Sequence, residues 1–162
     1  MNPAILSNED HELIKRYKIA PMKLEEALSN LSDLELNQKR AEGKWSIREI
    51  THHIIECDLN YFHINRFALA GSEQTYIFND FDPHIWNKNL EHLQRPVQLE
   101  IQLFKLIREY ISYLCMILPN ALDRELVHQD GRATIRDAIN HDNLHAYHHI
   151  DQIYEIRKIH DI

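Results

Sequence analysis

The stretch TIRDAINHDNLHAYHHIDQIYEI (134–156) decides how this chain is read. Ile135, Ala138, Asp142, His145, Ala146, His149, Ile153 and Ile156 recur at three- and four-residue steps, the spacing of one face of an α-helix. Thr134 stands at the N-cap position, with Asp137 three residues on to complete a capping box. At about 100° per residue, His145 and His149 lie one above the other on this face. A face built of isoleucine and alanine is a buried face. Two imidazoles therefore point toward a core.

Working outward, the same period appears three more times. Ser46 and Glu49 open a helix whose Ile47, Ile50, Ile54, Leu59, Ile64 and Phe67 carry it to about Ala70, where Gly71 is a natural stop. Ser7, with Asp10 three residues on, opens an earlier one along Leu13, Ile14, Tyr17, Leu24, Leu28 and Leu31, and Pro21 predicts a kink or break inside it. Pro96 opens a third in chain order, through Ile101, Phe104, Ile107, Ile111 and Leu118, ended by Pro119. The polar segment 32–44 and a short linker through Gly131 are connectors. Residues 72–93 form a long loop whose Tyr76, Phe78, Phe81 and Trp86 predict packing over the bundle end. Only three glycines occur in 162 residues, too few for the turns of an all-β fold. The expected fold is all-α: an antiparallel four-helix bundle, one domain over 1–162, with the long loop between the second and third helices.

Composition removes several function classes. A net charge of −7 with no basic stripe argues against a nucleic-acid or anionic-membrane surface. The N-terminal residues lack the pattern of a signal peptide, and no apolar run is long enough to span a bilayer, so the cytoplasm is the expected location. Cys57 and Cys115 follow no disulfide or metal spacing and read as buried thiols in a reducing compartment, with thiolate ligation by Cys57 a minor alternative. No nucleophile elbow or phosphate-binding glycine loop is present.

Twelve histidines are the unusual count, and their facing matters more than their number. On the second helix His53 shares its stripe with Ile50, Cys57, Asn60, Ile64 and Phe67, so it too faces inward. Three buried imidazoles are unfavourable unless their nitrogens find partners. One divalent ion, zinc before nickel, meets that need and leaves one tetrahedral position for water or substrate. Histidines satisfied by mutual hydrogen bonds are the other reading of the same spacing.

KWSIREITHHIIECDLNY (44–61) and ATIRDAINHDNLHAYHHIDQI (133–153) resemble the two signature segments of the DinB superfamily, in its YfiT-like branch of metal-dependent hydrolases and bacillithiol S-transferases. TYIFNDFDPHIWNKN (75–89) is similar to the aromatic and acidic loop of that branch. The resemblance implies His53, His145 and His149 as ligands, the three that facing selects independently, and leaves His141 and His148 on the flank. It also implies a metal-dependent enzyme that transfers a low-molecular-weight thiol to a small electrophile. The alternatives are hydrolysis by water activated on the ion and a stress-response protein that binds metal without turnover. It implies a homodimer as well, for which Tyr113, Tyr147 and Tyr154 are candidate outward aromatics.

Around the three histidines, Glu56 is a candidate orienting acceptor, base or fourth ligand. Asp142 is expected to hydrogen-bond a ligand histidine, and Asn60 to reach the site. Trp45 is expected to plug the bundle end. His52 and His148 are expected in solvent or in helix packing, and His63 and His160 have no assignable partner.

Overall fold

Three of the four long helices start with the same device. Ser7, Ser46 and Thr134 each accept the backbone N–H of the residue three positions on, and Asp10, Glu49 and Asp137 return a bond to the cap. The helices so opened are α1 (Asn8–Leu28), α2 (Ile47–Leu69) and α5 (Ile135–His160). The computed structural model describes residues 6–71, 73–79 and 81–162. The first five residues, and Ser72 and Asp80 of the long loop, lie outside the described residues. Between α2 and α5 stand α3 (Pro83–Asn89), α4 (Gln98–Ile117) and an antiparallel hairpin, β1 (Glu125–His128) with β2 (Gly131–Thr134).

α1 packs against α4 and α5, and α2 packs against the same two, so α1 and α2 sit across the bundle from one another. The two core clusters give the directions. One joins Leu24 and Ala27 late in α1, Ile50 and Ile54 early in α2, Phe104 early in α4 and Ile153 late in α5. The other joins Ile14 and Tyr17, Leu69, Ile111 and Cys115, and Ile135 and Ile139. Thus α1 and α5 run one way while α2 and α4 run the other. Two helices of like direction cannot be joined by a short turn. α2 has 23 residues and is about 35 Å long, so the chain must travel back along it before α4 begins.

Residues 70–97 make that return, which is why the loop is long. Its polar groups are managed locally. Asp82 caps α3 by accepting the N–H groups of His84 and Ile85 at 2.8 and 3.2 Å. Tyr76 N–H donates to the Val127 carbonyl at 2.8 Å, and Phe78 N–H to Gln129 Oε1 at 2.9 Å, so the loop is fastened to the hairpin.

Pro21 does not break α1; the helix runs unbroken through it. Burial of Tyr17, Ala20, Pro21 and Leu24 against the neighbours holds the turn where the proline cannot donate. The linker before Gly131 is ordered as the hairpin, and the 32–44 connector buries Leu36 from a short 3-10 turn. α4 starts two residues after Pro96. Tyr113 and Tyr154 are exposed on the outside, while the Tyr147 hydroxyl donates to the Arg16 carbonyl at 3.2 Å. No helix among the described residues is long and apolar enough to cross a membrane.

At mid-bundle Arg108 of α4 is fully buried. Its guanidinium donates to Asp58 of α2 at 2.6–3.2 Å, to Asn143 Oδ1 at 3.3 Å and to the Asp142 carbonyl at 3.1 Å. It also lies 4.0 Å from the centroid of the Tyr17 ring of α1. Removing one partner leaves the other charge buried alone. Asp58→Ala is expected to cost about 3–5 kcal/mol in urea denaturation. The double replacement Asp58→Leu, Arg108→Met is expected to cost much less, because it removes both charges. Equal losses in the two proteins would show that packing, not charge, sets the effect.

Candidate metal centre

α2 carries His53 in its second turn, and α5 carries His145 and His149 one turn apart at mid-length. The bundle brings the three rings together: centroids are 5.1 Å apart for His53–His145, 4.7 Å for His53–His149 and 4.6 Å for His145–His149. His145 Nε2 stands 3.2 Å from His53 Nε2. Two nitrogens bound to one tetrahedral ion at about 2.0–2.1 Å stand about 3.3–3.4 Å apart, so this pair already has the spacing an ion would require. His145 Nδ1 is buried and has no hydrogen-bond partner among the described residues.

Burial sets the charge state. It pushes His53 down to about 3 and His145 down to about 2, each helped by the neighbouring imidazoles. His149 is lowered too, by burial, against the opposing bond to Gln152. The rings are neutral at physiological pH, with lone pairs available. His149 Nδ1 donates to Gln152 Oε1 at 2.9 Å, which leaves its Nε2 as the acceptor, the tautomer a ligand needs. Gln152 in turn pairs its amide with His148 Nε2 at 3.0 Å.

Cys57, one turn after His53, is the additional donor. Its Sγ lies 3.7 Å from both ring nitrogens of His53, and donor atoms of His53, Cys57 and His145 all fall within 4.8 Å of one another. Burial, followed by the Asp58 charge, pushes this thiol up to about 12. His149 is not part of that close donor group; it meets His53 and His145 ring to ring, at centroid distances of 4.7 and 4.6 Å.

Other expected residues are placed differently. Asp142 is buried, but its carboxylate accepts from Asn65 Nδ2 at 2.8 Å, and among the described residues no bond joins it to a site imidazole; Arg108 holds the same residue by its carbonyl. Glu56 Oε1 lies 3.7 Å from His92 Nε2. Asn60 is engaged with the Glu56 carbonyl and with Asn79 Nδ2, at 2.9 and 2.6 Å. His141 is exposed beside Asp142, whose hydrogen bond raises it. His148 is exposed. His52 is fully buried, stacked on His92 at 4.8 Å and bonded to the Arg95 carbonyl at 3.2 Å, so it is a packing histidine and not a solvated one. His160 Nε2 bonds the Lys39 carbonyl at 2.8 Å, and His63 meets Tyr76 edge-on at 5.6 Å.

Trp45 packs on the core as expected and also stands 4.7 Å from the His53 ring. Its role as a wall was not evident from sequence. Gln152 was within reach of sequence reasoning, three residues after His149 on the same helix. His92 was not, since it lies in a non-periodic turn. Two cavities touch the cluster. One of 260 Å³ is lined by Trp45, His84, His149, Gln152, Arg40 and Lys44. The other, of 430 Å³, reaches Cys57, Tyr61 and His141.

Inward histidines on facing helices are an arrangement in which a helical bundle can hold a metal ion. Residues 16–153 match the model of the DinB superfamily, and the chain belongs to that superfamily and is YfiT-like. It is 30% identical over 158 residues to a protein of Oceanobacillus iheyensis, covering 93% of this chain and 87% of that one. It is 22% identical to YfiT of Bacillus subtilis, covering 96% and 88%. Both relatives are named as candidate metal-dependent hydrolases. The solved structure of Bacillus subtilis YfiT superposes with a TM-score of 0.84 at 21% identity, over 96% of this chain and 90% of that one, and is described as a four-helix bundle of unusual topology.

The depressed histidines have a consequence for stability without metal. Their folded forms refuse protons that the unfolded chain accepts near pH 6.5, so their contribution is present above that pH and is lost as pH falls toward about 3. Chelator-treated protein is expected to lose up to about 2 kcal/mol for each of His53 and His145 between pH 7.5 and 5.0 in urea denaturation. His145→Gln should flatten that slope. A wild-type profile as flat as the variant's would show that the rings accept protons in the fold.

Proposed function

We propose that this chain is a metal-dependent enzyme acting on small molecules, with His53, His145 and His149 holding one divalent ion, zinc before nickel. The observation that carries this reading is the convergence of three imidazoles, with ring centroids 4.6–5.1 Å apart and two Nε2 atoms at 3.2 Å. When bound, the ion supplies a Lewis acid that lowers the pKa of a thiol or water in its remaining position. The chain's own residues then do the rest. Gln152 fixes the ring of His149, and Trp45 and Tyr61 close the sides of the site with apolar surface.

Thiol transfer is the reaction the cavities favour. A hydrolase needs room for one organic substrate and a water; a transferase needs room for two. Here one cavity reaches His149 and carries Arg40 and Lys44, suited to an anionic thiol, and a separate apolar one reaches Cys57. Sulfur would bond to the carbon of the electrophile while the leaving group departs with its electron pair and the thiol proton passes to solvent. Hydrolysis is the second reading, favoured by the names the relatives carry.

The donor set is tested by metal analysis of untagged protein. His149→Ala is expected to lose stoichiometric metal and Cys57→Ala to keep it. The reverse result would establish His53, Cys57 and His145 as the ligands.

The reaction is tested separately on the cobalt-substituted protein. An added low-molecular-weight thiol is expected to produce a near-ultraviolet sulfur-to-cobalt band and to be consumed together with an aryl halide. Ester hydrolysis without any thiol, and no band, would select the hydrolase.

A further inference from the structure

The cavity bordered by Cys57 and Tyr61 has a chemistry of its own. At 430 Å³ it is small among ligand pockets, which run from roughly 300 to 1,000 Å³. Tyr61 of α2, Phe78 and Phe81 of the long loop, and Leu126 of β1 supply apolar and aromatic walls. No lysine or arginine lines it, while Asp137 and Asp142 do, together with the imidazoles of His128 and His141. An anion finds no lysine or arginine to pair with there, and His141 already stands beside Asp142, 3.7 Å from its carboxylate.

One polar atom in the wall is left over. Asn65 is fully buried; its Nδ2 donates to Asp142, and its Oδ1 has no partner among the described residues. Because only the amide nitrogen can donate to that carboxylate, the unpartnered atom is the acceptor. That acceptor offers no surface a ligand could reach, so it is a cost to the fold behind the wall and the wall's own contacts are apolar. Two of its wall residues lie against the site imidazoles. Cys57 lines it and lies against His53, and the Tyr61 ring stands edge-on to His145 at 5.7 Å.

We propose that this cavity is the acceptor-substrate site of the metal centre. It takes a small, uncharged, mainly apolar ring compound that carries the electrophilic carbon and its leaving group, for which an unreactive ring of the same size is a binding probe. Its catalytic meaning rests on the metal reading above; the binding itself does not.

2-Naphthol and 2-naphthoate share a ring system and differ in charge. With chelator-treated protein, naphthol fluorescence is expected to saturate, and naphthoate to bind at least about tenfold more weakly. Ala138→Phe, which fills the cavity, and Phe81→Ala, which removes a wall, should each weaken naphthol about tenfold or more while helicity by circular dichroism is unchanged. Either variant suffices if the other misfolds. In the cobalt-loaded protein, proton lines of bound naphthol should broaden. Non-saturable binding, naphthoate bound as tightly, or indifference to both substitutions overturns the pocket. Saturable binding without broadening at full cobalt occupancy separates the cavity from the centre and overturns its catalytic assignment. A protein that binds naphthol but takes up no metal overturns the metal reading, and metal content alone distinguishes that case.

Discussion

The buried pair of Arg108 and Asp58 is the constraint on which the rest of this bundle depends. An arginine with no solvent exposure must find an acceptor for each of its donors, and the acceptors here come from α2 and α5, with the Tyr17 ring of α1 beneath. Hydrophobic stripes can slide by a turn with little loss, since isoleucine packs nearly as well on one neighbour as on the next. A guanidinium held at 2.6 Å by a carboxylate cannot. It sets the axial register of four helices at one level.

That register reaches the histidines through short paths. Asp58 is five residues after His53 on α2, and Asn143 and Asp142 stand two and three before His145 on α5. The same bonds that place Asp58 beside Asn143 therefore bring the His53 and His145 rings to their spacing. Burial then keeps those rings neutral. The dry interior that stabilises the bundle is also what leaves the nitrogens free of protons.

Much of this was legible in the sequence because it is periodic. The cap residues Ser7, Ser46 and Thr134 mark true helix starts, and Gly71, with φ of 67°, follows the end of α2 as a glycine should. The inward facing of His53, His145 and His149 follows from rotation alone, and the structure brings their rings together. What was not legible depends on contacts between distant segments. Asp142 faces inward as the period requires, yet Asn65, seventy-seven residues away, takes its carboxylate. His52, adjacent to His53, is buried by His92, whose turn carries no repeat. The hairpin escaped because four-residue strands are shorter than any period can register. The direction of α4 is likewise a property of the whole assembly, visible in the sequence only as an unusually long loop.

The like direction of α1 and α5 has a consequence for the order of events during synthesis. α1 finds its packing partners in α4 and α5 and not in α2, and Asp10 at its start pairs with Arg136 of α5. The first two helices to leave the ribosome thus have little surface to offer each other, and the bundle cannot close until the fourth long helix has emerged. That helix also brings His145 and His149. A growing chain therefore holds His53 without the other two for most of its synthesis, and the three rings first meet in the finished fold.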